Sequence, residues 1–179
     1  NRYGVLSGAA VVTVVDTRTF ETAHIRLITG STSARGIAFT PDGKYVLLAH
    51  VLARYHLPTT QVDLGWMNDN ALTVIDVRRR EVLNTVLLDG IWDGAANPWG
   101  VACTADGRWI CVSHAGTHEL SVIDAPVLLS ALEQLPLVAF SNAAFFDGSS
   151  SGYTRISNGE DLVNAPGFLA GFRQRVKLP

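Results

Sequence analysis

The chain has 179 residues, of which 47% are hydrophobic and 17% are charged, and its formal net charge is −2. This composition excludes a disordered chain and allows one domain with a sizeable core. The near-neutral charge gives no electrostatic basis for binding nucleic acid or an anionic membrane surface, and no apolar run reaches the length of a membrane span.

The N-terminal part of the chain predicts short strands separated by turns. Arg2–Leu6 reads as the remnant of a strand, Val11–Asp16 is rich in β-branched residues, and His24–Ile28 alternates in polarity. Asn1 begins in the middle of this pattern and no signal peptide is visible. We therefore expect the natural N-terminus to lie further upstream.

A 15-residue pattern then occurs twice, at Gly36–His50 (GIAFTPDGKYVLLAH) and at Gly100–His114 (GVACTADGRWICVSH). Each copy consists of an apolar run, a turn built on Asp-Gly, and a second apolar run. Asp and Gly tolerate the positive φ angles that a tight turn requires, so each copy predicts a β-hairpin.

Each hairpin is followed by a third apolar run that ends in Asp, at Leu72–Asp76 and at Leu120–Asp124, and Val12–Asp16 is an earlier member of this series. With Glu81–Leu88, the first hairpin unit has four short antiparallel strands, the pattern of one β-propeller blade. The uneven spacing of the copies predicts variable loops on a fixed scaffold.

The pattern changes after residue 125. Pro126–Leu135 has helical spacing with Pro in the first turn, and the Ser/Gly/Asn-rich stretch Phe140–Gly159 predicts an irregular segment. Asp161–Phe172 is a candidate for a second short helix, although Pro166 and Gly167 argue for a break in it. Arg173–Leu178 alternates in polarity and predicts the delayed fourth strand of the second unit.

The fold class predicted is therefore all-β. The chain would be a β-propeller of four-stranded antiparallel blades, with about two and a half to three blades present and a mostly helical or irregular insertion after residue 125. The segments assigned are a partial blade at 1–28, a full blade at 35–88 with a rim insertion at 51–70, and a blade at 100–179 with an insertion at 126–172. A propeller closes with about 4 to 8 blades. We therefore expect the remainder of the ring to come from the same longer chain or from other chains.

The chain has two cysteines, one in each arm of the second hairpin. Cys103 and Cys111 replace Phe39 and Leu47 of the first copy, which indicates small apolar residues at core positions. The alternative is a cross-strand disulfide, for which the turn register would have to place the two residues opposite each other.

The hairpin Thr40-Pro-Asp-Gly-Lys44, followed by Leu-Thr-Val-Ile-Asp, resembles the YVTN-type β-propeller repeats of bacterial secreted and surface proteins. The resemblance covers residues 11–124 and implies a periplasmic or extracellular location. The insertion from Ala49 to Asn68 resembles a narrower subset joined to c-type cytochrome or dihaem-peroxidase-like domains, which implies a haem-bearing partner domain. This chain has no Cys-x-x-Cys-His, so a covalent haem c would lie in a linked domain.

In a four-stranded blade, the loops that follow the second and fourth strands emerge on one face, here called the rim. Loops displayed by a rigid scaffold often carry binding residues. The candidate residues for binding a partner domain or a small ligand at the rim are Arg54, Tyr55, His56, Trp66, Trp92, Asp93, Trp99 and His118. For Arg54 the alternatives are an ion pair with Asp63 or Asp69 and an anionic ligand. For the three tryptophans they are loop packing and a sugar platform.

Two rim histidines end the second strand of successive units. His50 and His114 could point into one site and bind a transition metal, with His56 and His118 as further ligands. In the alternative interpretation, each strand-end histidine bonds the carbonyl of a neighbouring loop. The histidines lack the tight spacing that makes a zinc motif specific.

Three functions remain open. The first is a propeller scaffold or binding module of a secreted or periplasmic bacterial protein, beside a cytochrome c domain in an electron-transfer protein. The second is a metal-dependent oxidoreductase that uses the rim histidines, and the third is a structural surface-layer or adhesion repeat. The sequence has no Gly-rich phosphate loop and no nucleophile elbow, so no catalytic residue is assigned in this chain, and whether it is part of an enzyme stays open.

Overall fold

The structure is a computed structural model that describes residues 8–54, 67–135, 137–141, 151–157, 160–162 and 165–179. It begins with an antiparallel hairpin of β1 (Val11–Val15) and β2 (Thr22–Arg26), in which Thr13 lies opposite His24. The inner side of this hairpin carries Val12, Val14 and Ile25, which pack against the next sheet.

The next sheet, blade 1, is a four-stranded antiparallel meander in the spatial order β3-β4-β5-β6. Its strands are β3 (Ser31–Phe39), β4 (Tyr45–Ala53), β5 (Asn68–Asp76) and β6 (Glu81–Leu87). The β4–β5 pairing extends as far as Ala53 and Asn68. Both ends of the rim insertion expected at 51–70 therefore belong to strands, and the insertion is shorter than predicted. The apolar run after His50 simply continues the ladder.

Blade 2 repeats this arrangement with a fourth strand from the end of the chain. Its strands are β7 (Pro98–Cys103), β8 (Trp109–His114), β9 (Glu119–Asp124) and β13 (Arg173–Lys177), in the spatial order β13-β9-β8-β7. Arg173 lies opposite Ile123 and Lys177 opposite Glu119. The alternating segment at Arg173–Leu178 thus forms the outer edge strand of this sheet.

The two predicted hairpin turns form in the same way. Asp42 accepts hydrogen bonds from the Thr40 hydroxyl (2.7 Å) and the Lys44 amide (3.1 Å), and Gly43 has a φ of 69°. In the second copy, Asp106 accepts from the Thr104 hydroxyl (2.5 Å) and the Arg108 amide (3.0 Å). The turns are therefore determined by local chemistry that both copies share.

The segment between β9 and β13 differs in part from the expectation. Helix α1 (Ala125–Gln134) forms where helical spacing predicted it, and Asp124 caps it by accepting a 3.1 Å hydrogen bond from the Val127 amide. A small antiparallel sheet then follows, made of β10 (Leu137–Ser141), β11 (Ser151–Ser157) and β12 (Glu160–Asp161).

Two predictions for this segment are therefore wrong. The stretch at 140–159 is not simply irregular, because its first residues belong to β10 and pair with β11 (Ser151–Ser157). Residues 166–172 form turns in place of a second helix. Gly167 has a φ of 97°, which a helix cannot accommodate, and Pro166 precedes it.

The main core lies between the facing sides of blades 1 and 2. Leu47, Leu72 and Val74 of blade 1 meet Ile110 and Ile123 of blade 2, and all are at most 2% exposed. A second core joins the β1–β2 hairpin to the other side of blade 1. Four-stranded antiparallel sheets stacked face to face are the architecture of β-propeller blades, so the predicted fold class is confirmed.

The register of blade 2 also decides the cysteine pairing. Cys103 lies opposite Ile110, and Cys111 lies opposite Ala102. Directly opposite residues share a face of the sheet, so the two thiols point to opposite faces. Both cysteines are free, and the cross-strand disulfide does not form.

Within the described part of the chain, no helix combines the length and the apolar character needed to cross a membrane.

Candidate functional site

The two strand-end histidines are buried at the rim. His50 is fully buried at the rim end of β4, with Nε2 2.8 Å from the Thr73 hydroxyl and Nδ1 3.1 Å from the Val51 carbonyl oxygen. The Thr73 hydroxyl lies 2.7 Å from that of Thr85, so a polar chain crosses β4, β5 and β6. Burial lowers the pKa of His50 and keeps the imidazole neutral.

His114 repeats the arrangement at the end of β8. Its Nε2 lies 2.8 Å from the Ser121 hydroxyl, and its Nδ1 lies 3.1 Å from the carbonyl oxygen of Ala95 in the loop between the blades. Burial, reinforced by the positive charge of Arg175, lowers the pKa of His114 to about 4. Both ring nitrogens of each histidine are thus engaged by the chain itself, including one carbonyl in each case.

This geometry bears on the metal prediction for His50, His56, His114 and His118. Among the described residues, no three His, Cys, Asp or Glu side chains form a group that could hold a metal ion. His56 lies outside the described residues, so the four-histidine site stays a prediction. His118 is exposed in the β8–β9 turn with a φ of 54°.

A hydroxyl next to an imidazole recurs in all three Asp-ended strands. Thr73 and Ser121 hold the second position of the runs Leu-Thr-Val-Ile-Asp and Leu-Ser-Val-Ile-Asp. Thr13 holds the same position in β1, with its hydroxyl 3.2 Å from Nδ1 of His24. Sequence reasoning missed this pairing, although the repeated Thr or Ser was a visible signal for it.

The loop between the blades is anchored by a buried carboxylate. Asp89 is 1% exposed and accepts hydrogen bonds from the Asn70 amide (2.6 Å), the Asn70 side-chain amide (2.9 Å) and the Ala95 amide (2.7 Å). The side-chain oxygen of Asn70 accepts from the Asn97 amide at 3.1 Å. Neither Asp89 nor Asn70 was singled out from the sequence, because their partners lie far along the chain.

A buried ion pair holds the base of the long rim insertion. Arg54 and Asp69 are 7% and 1% exposed, and the guanidinium donates a hydrogen bond to the carboxylate. Asp69 is thus a partner of Arg54, as one sequence alternative proposed, while Asp63 lies outside the described residues. Burial raises the pKa of Asp69 to about 6, against the opposing effect of the Arg54 charge.

The last strand contributes two arginines to the same loop. Arg175 pairs with Asp93 and Glu119 and donates a 2.6 Å hydrogen bond to the Gly94 carbonyl. Arg173 donates to the carbonyl of Leu88. These contacts tie blade 2 to the exit loop of blade 1, and the sequence carried no sign of them.

The remaining predicted rim residues fall into different environments. Trp99 is 54% exposed, with the Arg35 guanidinium 4.2 Å from its ring centroid, whereas Trp92 is 90% exposed. Tyr55, His56 and Trp66 lie outside the described residues. The rim candidates are therefore not gathered into a single site within the described part of the chain.

A pocket of about 390 Å³ opens beside the outer end of blade 2. It is lined by Trp99, Ser113, His114, Ala115, His118 and Leu178. The 2.8 Å hydrogen bond from the Leu178 amide to the His118 carbonyl matches the 2.6 Å bond from Leu88 to Asn70 in blade 1. His118 therefore occupies the position at which Asn70 holds the neighbouring blade.

No family model matches the chain. The chain is similar to the hydrazine synthase subunit beta of Kuenenia stuttgartiensis, with 25% identity over 118 residues, which make up 66% of this chain and 31% of that protein.

The chain was also compared with solved structures. A chain of Kuenenia stuttgartiensis hydrazine synthase superposes with a TM-score of 0.75 and 21% identity, covering 97% of this chain and 44% of that one. The β-propeller domain of Cps50 (Swd1) from Myceliophteria thermophila superposes with a TM-score of 0.43 and 16% identity, over 81% of this chain and 39% of that one. The chain thus spans less than half the length of each protein, and the superposition on hydrazine synthase establishes a shared fold.

Proposed function

We propose that this chain is a propeller scaffold that belongs to one subunit of a multi-subunit bacterial enzyme and binds partner chains through its rim. The observation that carries the proposal is the similarity to a protein named as the beta subunit of hydrazine synthase, which extends across 66% of this chain. The chemistry would then be performed by other parts of the assembly.

The geometry of the rim supports a scaffold role. His50, His114, Asp89 and the Arg54–Asp69 pair are buried and hydrogen-bonded to their own chain. A catalytic acid, base or nucleophile must reach a substrate. These described polar groups instead hold strands and loops in place, which is what a docking platform requires.

We also propose that the remainder of the propeller covers the outer face of blade 2. Cys111 and Val122 on that face are half-buried, while the equivalent Leu47 and Val74 of blade 1 are fully buried by blade 2. The pocket beside His118 would receive the loop of the next blade, as Asn70 receives Asn97.

The resemblance to YVTN-type repeats motivates two further parts of the proposal. The protein would lie in the periplasm or outside the cell, and its neighbour would be a cytochrome c domain. Since the chain itself lacks Cys-x-x-Cys-His, the haem would be carried by that neighbour. The rim would then be a docking surface beside a redox centre.

The experiment that tests the proposal is purification of the natural protein by a tag on its own gene. Iron analysis and a visible absorption spectrum would be recorded on the intact sample. We expect co-purifying subunits, iron and a Soret band. A single chain without partners would contradict the proposal. Copper or zinc without haem, lost on His114→Ala, would replace it with the metal-dependent oxidoreductase.

Thiol labelling tests the covered face separately. Burial raises the pKa of Cys103, whose side chain packs against the core between the blades. We expect Cys111 to be as unreactive as Cys103 towards iodoacetamide in the full-length protein, until denaturant is added. Rapid labelling of Cys111 under native conditions would mean that no blade covers this face.

A further inference from the structure

The loop between the blades bends sharply in its first half and there presents two large apolar side chains to solvent. The Gly90 amide donates a 2.8 Å hydrogen bond to the Asp93 carbonyl, which places Ile91 and Trp92 at the corners of the turn. Ile91 is 60% exposed and Trp92 is 90% exposed. We call Gly90–Asp93 the loop tip. The Ile91 side chain lies partly against Gly167, whereas Trp92 is almost wholly in water and contributes little to the core.

The loop tip is held from several strands. Asp89 fastens its start to Asn70 on β5 through bonds of 2.6 and 2.9 Å, and the Ala95 carbonyl after it meets the His114 ring on β8. From β13, Arg175 pairs with Asp93 and donates to the Gly94 carbonyl at 2.6 Å.

These bonds come from the chain itself. Asp89 accepts from the Asn70 and Ala95 amides, and Arg175 donates to the Gly94 carbonyl, so the loop that displays Trp92 is fixed on both sides of the tip. Binding through a preformed loop costs less ordering than binding through a flexible one.

We propose that Trp92, supported by Ile91, is an anchor that inserts into an apolar pocket of a partner subunit. This inference rests on the proposed role of the chain within an assembly. An indole offers a large rigid apolar surface and one N–H donor, and tryptophan is enriched among the residues that dominate binding energy at interfaces. The receiving pocket would be lined by apolar side chains with one hydrogen-bond acceptor within reach of the indole nitrogen.

The charge of the loop favours a protein over a membrane as the occupant. Residues 88–97 contain two aspartates, Asp89 and Asp93, and no lysine or arginine. Segments that insert a tryptophan into an anionic bilayer usually carry basic residues beside it, because the lipid headgroups attract them. Asp89 is buried and Asp93 pairs with Arg175, so the loop presents no unpaired basic group that could bind such headgroups, whereas an apolar protein pocket does not require one.

The test uses the full-length protein and the subunit that co-purifies with it. Dissociation constants would be measured for wild type, Trp92→Ala and Trp92→Phe. The matched control is Phe20→Ala, since Phe20 is 78% exposed in the β1–β2 turn, at the opposite end of the strands. We expect roughly tenfold or greater weakening for Trp92→Ala, an intermediate value for Trp92→Phe, and no change for the control.

Unfolding midpoints would be recorded for the same variants and should be unchanged, because the Trp92 side chain is almost fully exposed. Wild-type affinity in Trp92→Ala would overturn the inference while leaving the scaffold proposal intact. So would a lowered midpoint, which would mean that another part of its own chain covers Trp92. Self-association that Trp92→Ala abolishes, or Trp92-dependent binding to phosphatidylglycerol vesicles, would reassign the tip. If wild type has no partner, the scaffold proposal itself fails.

Discussion

Blades 1 and 2 carry the same sequence repeat but bury it to different extents. Leu47 and Val74 on blade 1 are completely buried, whereas the equivalent Cys111 and Val122 on blade 2 are half-buried. Among the described residues, blade 1 is covered on both faces, by the β1–β2 hairpin and by blade 2, whereas blade 2 is covered on the face that meets blade 1. The repeat therefore determines which residues alternate along a strand, and the neighbouring sheets determine what that alternation contributes to stability.

The fourth strands differ even more. In blade 1, β6 follows β5 directly, and Thr85 extends the polar chain that starts at His50. In blade 2, the corresponding strand β13 returns only after α1 and the β10–β12 sheet. It places Arg175 opposite Ser121, where Thr85 stands in the first copy. The same place in a blade can thus be filled from a distance and given a different role.

The largest expected effect on the free energy of unfolding comes from introducing a carboxylate on the buried face of blade 1, compared with the same change on the outer face of blade 2. Val74→Asp would place an unpaired carboxylate in the core between the blades and should cost more than about 4 kcal/mol. Val122→Asp lies at the same repeat position on the open face and should cost about 1–2 kcal/mol in this chain. Urea denaturation followed by circular dichroism measures both. Equal losses would mean that the outer face of blade 2 is already covered.

Truncating a side chain to alanine should also destabilise the protein more in blade 1 than at the equivalent position of blade 2. Leu47→Ala removes a fully buried side chain and should lower the free energy of unfolding by about 3 kcal/mol. At the equivalent position, Cys111→Ala removes one sulfur from a half-buried site and should cost less than about 1 kcal/mol. A larger loss at Cys111 than at Leu47 would contradict the assignment of the open face.

Acid should destabilise the protein through its buried histidines. The pKa of His114 is lowered to about 4, so between pH 6.5 and 4 the unfolded chain binds the proton more readily than the folded one. Stability that is fully present above pH 6.5 is therefore lost as the pH falls through this window, by up to about 3 kcal/mol. His114→Gln should make this loss smaller, as measured by urea midpoints from pH 7 to 4.

Asp69, a second buried group, changes the free energy of unfolding in the opposite direction over the same pH range. The pKa of Asp69 is raised to about 6, so its protonation favours the folded state as the pH falls from 6 towards 3.8. This contribution is common to wild type and to His114→Gln, and the difference between their two curves isolates the histidine. An unchanged difference across the window would show that His114 does not resist protonation. His50 in blade 1 should behave in the same direction as His114.

The smallest effect should be the same in both blades. Asp42→Ala and Asp106→Ala each remove a carboxylate that accepts a threonine hydroxyl and a backbone amide in an exposed turn. We expect equal shifts of the urea midpoint, roughly 0.3 M each. Clearly unequal shifts would mean that one turn contacts another part of the protein. This pair serves as the control for the two larger comparisons.

The sequence by itself determined the elements whose chemistry is local. The Asp-Gly turns, the Asp-ended strands and helix α1 all form where short-range patterns predicted them, because turn bonds and helix caps connect residues a few positions apart. It also placed His50 and His114 at the ends of strands, and Arg54 and Trp92 in the loops at the same end of the blades, so the location of the rim could be predicted.

Only the tertiary structure decided which of those residues are buried and what they bind. His114 bonds Ser121 and Ala95, Asp89 bonds Asn70, and Arg175 reaches Asp93 more than eighty residues earlier. Each of these contacts depends on the sheet register and on the packing of one blade against another, and no pattern within a single segment of the chain can specify that.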